Sequence, residues 1–189
     1  LTEDERARFL GGEATMWSEL VTPLTIDSRI WPRTAAIAER FWSSKEINAV
    51  ENMKQRLKVV SHQLEELGIT HLSSRAVILR NMSNHHQTEA LEVLANICEP
   101  LKMYSRNAGG TEYKTFSPFT LFADACNSDA KTAVEFKREV ARFLETPNDS
   151  DTQTDSEGIL HYLRKWSLNH AKFTSIPSNP KLKPLEALS

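Results

Sequence analysis

The sequence predicts a mainly α-helical protein that begins with one strand, loop and helix unit. Apolar residues recur at helical spacing over residues 47–67, 88–101 and 129–145. The segment FLGGEATMWSEL, residues 9–20, instead alternates like an extended strand. The 189 residues are 40% hydrophobic and 25% charged, which is typical of a globular chain with a core and fits one or two domains.

Charge and hydropathy argue against two classes of partner. The formal net charge is −2 and no basic stripe is visible, so we expect no nucleic acid, which requires clustered positive charge. The apolar runs are shorter than the roughly 20 residues of a membrane span, so none is expected. The chain opens with Leu1 rather than Met, which indicates a processed product or a piece of a longer protein.

The cysteines and histidines do not predict a metal or cofactor. Cys98 and Cys126 lack metal-ligand spacing, and Cys98 lies on the apolar face of a predicted helix. A buried reduced thiol is the simplest interpretation, and a disulfide stays open. His85 and His86 are adjacent in a polar break with no third ligand spaced nearby, which favours a solvated loop.

The first half of the chain shows clear helix signals. Thr2 and Glu5 have the spacing of a capping box at an N-terminal turn. Pro32 begins a short helix that runs to Trp42, because proline is tolerated best in a first helical turn. Residues 47–67 form a longer amphipathic helix, and Gly68 supplies its left-handed stop.

The second half is predicted to be helical with two irregular segments. Residues 69–86 contain a β-branched piece and a polar break, a plausible joint between two parts of the fold. A helix starts near Pro118 or Phe119, and Ser156 caps a last helix after an acidic loop. The proline-rich tail, residues 175–189, is expected to be irregular and to lie on the surface.

The polar residues of segment 9–20 share one face of the predicted strand. Glu13, Trp17 and Glu19 have the same parity, whereas Gly12 and Ala14 face the other side, where small residues let a helix pack closely. A tryptophan ring stacks on the apolar face of a pyranose, and a carboxylate accepts hydrogen bonds from sugar hydroxyls. The pair could form a sugar subsite, but the spacing alone favours a core tryptophan beside a capping or salt-bridged glutamate.

Two motifs resemble one enzyme family. GGEATMWSE, followed by RIWPRTAAIAERFWS, is similar to the last barrel strand and helix of family 20 glycoside hydrolases, the β-N-acetylhexosaminidases. The matching residues are Gly11, Gly12, Glu13, Met16, Trp17, Glu19, Arg29, Trp31, Pro32, Arg33, Ala38, Glu39, Arg40 and Trp42. From about residue 86 the chain looks, more loosely, like the helical C-terminal extension of some bacterial members.

The resemblance implies a fold and residue roles. Residues 1–77 would be the C-terminal end of a TIM (β/α)8 barrel, its last strand and helices, and residues 78–189 a helical C-terminal domain. Trp17 would form a wall of the pocket for the terminal N-acetylhexosamine, and Glu19 would bind its 4- and 6-hydroxyls. Glu13 would support them, and Arg29 and Arg33 would have mainly structural roles.

The resemblance also implies that this chain lacks the catalytic residues. The family uses the substrate's own acetamide as nucleophile, assisted by an adjacent Asp-Glu pair on a middle barrel strand. The only such dipeptide here, Asp4-Glu5, lies in a polar run without an apolar strand, so we reject it. We therefore expect a C-terminal fragment that contributes part of a sugar subsite and no catalytic residue.

The expected partners follow from that fragment. They are the remainder of the barrel and, through the full-length enzyme, N-acetylhexosamine-containing glycans or chitooligosaccharides, with a periplasmic or secreted location. Without its barrel neighbours, the segment 9–20 is expected to lose its barrel conformation. The competing interpretation is a non-catalytic helical domain that serves interaction or stability.

Overall fold

The fold is mainly helical in a computed structural model that describes residues 1–18, 20–100, 121–127, 130–145, 152–176 and 180–189. The α-helices are α1 Glu3–Ala7, α2 Ile26–Ile30, α3 Arg33–Trp42, α4 Val50–Glu66, α5 Ser73–Met82, α6 Glu89–Ile97, α7 Lys131–Glu145, α8 Thr152–Ser167 and α9 Asn169–Thr174. Two 3₁₀ helices cover Phe122–Ala125 and Lys183–Leu188. These ranges contain no β-strand, and the predicted mainly α class is confirmed.

The chain divides into two compact units. Unit 1 is Leu1–Ser74 and unit 2 is Arg75–Ser189, so the division falls inside α5. The sequence places a boundary nearby, between residues 77 and 78. The assignment of the first part to the end of a barrel stays a prediction. Within the described ranges, none of the helices has the length and apolarity needed to cross a bilayer.

The N-terminal turn of unit 1 has the predicted capping box. The Thr2 hydroxyl accepts from the Glu5 backbone N–H at 3.2 Å, and the Glu5 carboxylate accepts from the Thr2 N–H at 2.8 Å. Two backbone donors that have no partner within a helix are thereby satisfied. The Glu5 carboxylate is thus engaged in local structure.

The predicted strand does not form in residues 9–18. No backbone N–H from Leu10 to Ser18 donates to a described backbone carbonyl, and Leu10 is 98% exposed. A strand needs a neighbour to pair its backbone groups, and unit 1 supplies none among its described residues. The strand prediction fails for the chain by itself, as expected for a barrel strand without its neighbours.

The predicted helices 32–42 and 47–67 are present as α3 and α4. Pro32 is the N-cap residue of α3, so the helix starts one residue later than the sequence suggests. Gly68 follows α4 with a φ of 91°, the left-handed conformation expected at this stop. The two helices contact each other, with Glu39 and Arg56 paired between them.

The turn from α4 into α5 is held by two polar contacts. Oε1 of Glu65 accepts from the backbone N–H groups of Leu72, at 2.5 Å, and Ser73, at 3.1 Å. One residue earlier in the turn, the buried His71 places its Nε2 2.6 Å from Oγ of Ser61 in α4. Burial alone raises the pKa of Glu65, but the hydrogen bonds from Leu72 and Ser73 and the nearby His71 imidazole outweigh it and lower that pKa.

Glu65→Ala should destabilise this turn by about 1 kcal/mol, the scale of losing a helix N-terminal cap. Because the folded-state pKa of Glu65 is lowered from its ordinary 4.5, its stabilising contribution is present above that value. It is lost as the pH falls through the lower, folded-state pKa. Chemical unfolding as a function of pH measures both effects.

Glu65→Gln is the matched control, because it keeps an acceptor oxygen and loses the charge. Its deficit relative to wild type should be smaller than that of the alanine variant and should diminish as the pH falls through the lowered folded-state pKa of Glu65. A deficit that is constant from pH 3 to pH 8 would contradict the assigned ionic contribution.

Residues 69–86 contain a helix that the sequence did not predict, α5 at Ser73–Met82. Ile78, Leu79 and Met82 are buried and lie at spacings of one, three and four residues, which place them on one helical face. This burial overrides the β-branched character of the segment. The polar break is confirmed only beyond α5, where Asn84 and His85 adopt positive φ values of 51° and 66°.

Unit 2 closes around a single apolar cluster. Its helix α6 is the most buried element, with Leu91 at 0% and Leu94 at 2% exposure. The buried members of the cluster are Ile78, Leu79, Met82, Ala90, Leu91, Leu94, Ala95, Phe122, Ala125, Phe173, Leu182 and Leu185. The side-chain amide of the buried Asn169 donates to the Ala90 carbonyl at 3.3 Å. The cluster gives unit 2 a core of its own.

The C-terminal tail differs from its prediction. Residues Lys183–Leu188 form a 3₁₀ helix, and Leu182 and Leu185 are buried in the core cluster. The prolines suggested an irregular surface segment, but Pro184 occupies the first turn of the short helix, where proline is tolerated. The spacing of the two leucines, three residues apart, is the signal that the sequence reading missed.

The remaining helical predictions are partly confirmed. Helix α7 covers Lys131–Glu145 as the sequence indicates, and α8 begins at Thr152, earlier than the predicted cap Ser156. Phe136 of α7 packs edge-to-face against Trp166 of α8, with 4.8 Å between ring centroids. The predicted helix start at Pro118 or Phe119 lies outside the described residues, which resume with the 3₁₀ helix Phe122–Ala125.

Candidate functional site

Trp17 lies in the irregular segment before α2 and is 76% exposed. It is therefore not packed in the core of unit 1, and its role in a sugar subsite stays a prediction. An exposed indole face is free to stack on another flat apolar surface. This is the geometric property that the sugar-subsite prediction requires.

The two predicted carboxylates differ in how the structure presents them. Glu13 is exposed, and its Oε1 accepts a long hydrogen bond of 3.5 Å from Oγ1 of Thr15. Glu19 lies outside the described residues. The geometry therefore does not bring Trp17 and Glu19 together, and the roles of both glutamates stay predictions.

Gly12 lies where this segment contacts helix α3. A Cβ atom at Gly12 would lie 2.8 Å from Cζ of Phe41, closer than real Cβ atoms approach a neighbour. The Phe41 ring of α3 therefore occupies the space that a side chain would need. The sequence predicts that Gly12 lets a helix pack closely, and the residue that packs against it is Phe41 of α3.

The two predicted supporting arginines bracket a tight connection. Arg29 is half-buried in the last turn of α2, and Arg33 is exposed at the first residue of α3. A cis Trp31–Pro32 peptide lies between them. Helix α2 is anchored by Asp27, whose Oδ2 accepts from the Thr70 backbone N–H at 2.7 Å and from its hydroxyl at 2.9 Å.

Glu39 and Arg40, the end of the second motif, make contacts within unit 1. Glu39 receives two hydrogen bonds from the guanidinium of Arg56 in α4, at 2.6 and 3.1 Å, and these bonds lower its pKa. Arg40 donates to the carbonyls of Ser44 and Ile47, just beyond α3. Both side chains therefore hold α3 to the chain that follows it.

Sequence reasoning missed Arg56 as the partner of Glu39 and Thr70 as the partner of Asp27. Arg56 lies 17 residues from Glu39, and Thr70 lies 43 residues from Asp27. No local spacing rule connects positions so far apart. In the described parts of the chain, no group of three or more His, Cys, Asp or Glu side chains is arranged to hold a metal ion.

Comparison with known proteins shows which enzymes these motifs resemble. The model of "Glycosyl hydrolase family 20, catalytic domain" matches residues 1–45. The X-ray structure of a chitobiase from Flavobacterium johnsoniae matches 100% of this chain with a TM-score of 0.88 and 48% sequence identity. The chain is thus similar to members of glycoside hydrolase family 20. The family model covers every predicted sugar-subsite and supporting residue, and the chitobiase match extends through unit 2.

Curated relatives of this chain include two animal enzymes. A β-hexosaminidase subunit β from Homo sapiens is 37% identical over 68 residues, 36% of this chain and 12% of its own. A chitooligosaccharidolytic β-N-acetylglucosaminidase from Bombyx mori is 42% identical over 64 residues, 34% of this chain and 11% of its own. This chain thus spans only a small part of these relatives, and 28% of the chitobiase chain.

Proposed function

We propose that this chain is the C-terminal part of a β-N-acetylhexosaminidase. The parent enzyme would release terminal β-linked N-acetylglucosamine or N-acetylgalactosamine from glycans or chitooligosaccharides. The observation that carries the proposal is the 48% identity over the full chain to a chitobiase of which it covers 28%. The catalytic centre of such an enzyme would lie mostly in the part that this chain does not include.

The proposed contribution of this chain is one side of the sugar subsite. Trp17 would stack on the terminal N-acetylhexosamine, and its 76% exposure supports this role. Glu19 would accept hydrogen bonds from the sugar hydroxyls. Glu13, exposed in the same segment, would support this pair from within the completed barrel.

Catalysis is proposed to depend on residues outside this chain. In the proposed mechanism the substrate acetamide oxygen attacks the anomeric carbon while an Asp-Glu pair orients it and protonates the leaving group. Asp4 and Glu5 do not suit that task, because the Glu5 carboxylate is occupied in the capping box of α1. Neither residue is a catalytic residue in this proposal.

The remainder of the barrel is the proposed partner of unit 1. Large apolar side chains on this unit face solvent, a pattern that marks surfaces which another protein part covers. Besides Trp17, which is proposed to face the sugar, these exposed residues include Phe9, Leu10, Ile37, Phe41, Trp42, Ile47, Val50, Val59 and Leu67. Unit 2 has a closed core of its own, which favours a role for unit 2 as a stabilising domain.

The chain by itself should not hydrolyse a chromogenic N-acetyl-β-glucosaminide, whereas the chain extended by its upstream coding region should. Release of nitrophenol by both purified proteins measures this difference. The wild-type extended enzyme provides the positive control, and tests with a selective hexosaminidase inhibitor identify contamination. Turnover by the chain alone, after removal of contaminating enzyme, would show that its catalytic pair lies within these 189 residues.

In the extended enzyme, Trp17→Ala should weaken binding of N-acetylhexosamine by about 1–3 kcal/mol, the scale of burying one large apolar side chain. Glu19→Gln should mainly lower kcat, because hydrogen bonds to sugar hydroxyls tighten as the ring distorts. Steady-state kinetics and product-inhibition constants separate the two effects. Trp42→Ala is the matched aromatic control, expected to leave KM unchanged; unchanged kinetics in the Trp17 and Glu19 variants would assign both to packing.

A further inference from the structure

The two cysteines of unit 2 lie at the ends of two helices that contact each other. Cys98 follows the last residue of α6, and Cys126 follows the last residue of the 3₁₀ helix Phe122–Ala125. Both leave their helix with extended backbone, at ψ values of 148° and 141°. Both side chains are partly buried against the same apolar cluster. The fold therefore brings together two thiols that are distant in the sequence.

Arg75 holds the two helix ends to each other. Its Nε–H donates to the carbonyl of Ala125 at 2.7 Å, and its Nη2 donates to Oδ1 of Asn96 at 2.9 Å. These acceptors lie one residue before Cys126 and two residues before Cys98. A guanidinium is a rigid planar fork, so one side chain fixes the separation of both segments.

We propose that Cys98 and Cys126 form a reversible intramolecular disulfide in the folded chain. A glutathione disulfide would be the oxidant. One cysteine thiolate attacks it and releases one glutathione, and the second thiolate then attacks the protein-bound sulfur and releases another. The net reaction converts two protein thiols and one glutathione disulfide into one protein disulfide and two glutathione thiols.

The surroundings of the thiols set the order and the pH dependence of these steps. Burial raises the pKa of Cys126 to about 12, with further increases from Cys98 and Asp124 and an opposing effect from Arg75. Burial also raises the pKa of Cys98. The thiol of Cys126 donates weakly to the Phe122 carbonyl at 3.6 Å, which favours its protonated form. Cys98 therefore attacks first, and oxidation accelerates as the pH rises.

The bond would close the segment 99–125 into a loop. Such a closure removes conformational freedom from the unfolded chain, which stabilises the folded state. For a chain of this size we expect the oxidised form to melt about 5–10 °C above the reduced form.

The test is a redox titration of the wild-type chain in glutathione buffers of increasing oxidised fraction. Intact mass should fall by the mass of two hydrogens, free thiols should drop from two to zero per chain, and proteolysis should yield one linked peptide pair. Oxidation at pH 9 should be at least about tenfold faster than at pH 7, since each unit of pH multiplies a minor thiolate population tenfold.

Cys98→Ser and Cys126→Ser are matched controls, expected to carry one glutathione on the remaining cysteine and to gain no thermal stability. The proposal is overturned if wild type accumulates two separate glutathione adducts, forms only intermolecular dimers, or keeps both thiols in buffers that oxidise a flexible dithiol peptide. Because these readouts use the wild-type chain, poor folding of a variant does not affect them.

Discussion

Leu91→Ala should lower the free energy of unfolding of unit 2 by about 3–4 kcal/mol, within the range observed for leucine truncation in packed cores. Leu91 is fully buried in the central helix α6, and its neighbours come from segments distant in the sequence. The cavity that alanine leaves cannot be filled without moving several elements at once. Urea unfolding followed by far-UV circular dichroism measures the change.

Leu144→Ala is the matched control for this measurement. Leu144 is also a helical leucine, in α7, but it is 69% exposed. Its truncation should change the free energy of unfolding by no more than about 0.5 kcal/mol. Equal losses in the two variants would mean that α6 is not the centre of the unit 2 core.

Backbone amides of residues 93–95 should exchange with solvent at least about 10³-fold more slowly than those of residues 10–18. Residues 93–95 lie inside α6, where their backbone N–H groups have helical acceptors, and they are buried, so these amides exchange only through larger openings of unit 2. The amides of residues 10–18 have no described backbone acceptor. Hydrogen exchange with mass-spectrometric or NMR detection compares the two segments in one sample.

Sedimentation of the same sample should establish that the chain is monomeric, because a dimer contact could shelter the N-terminal segment. Strong protection of residues 13–18 in a verified monomer would contradict the expected behaviour. It would mean that unit 1 provides backbone partners for this segment in solution.

Local signals in the sequence predicted those elements whose causes are local. The capping box of Thr2 and Glu5 and the left-handed stop at Gly68 each depend on residues within one turn, and both are confirmed. Helix α5 was missed because its stability comes from burial of Ile78 and Leu79 in a core assembled by other segments. Local propensity does not contain that information.

For the candidate site too, the sequence predicted local motifs but not the contacts between distant residues. The motifs were sufficient to select the family, because many residue types recur at fixed spacing around Trp17. They did not reveal that Glu39 pairs with Arg56, since this contact joins two helices through tertiary packing. The placement of Glu13 and Glu19 around a sugar stays a prediction, because Glu19 lies outside the described residues.

The buried leucines of the C-terminal tail have a consequence for synthesis. Leu182 and Leu185 complete a core whose first members, Ile78 and Leu79, are made about a hundred residues earlier. During translation α5 and α6 would emerge from the ribosome with part of their apolar surface uncovered until Leu182 and Leu185 follow. Unit 2 therefore completes its core only when both of these distant parts of its sequence are available to meet.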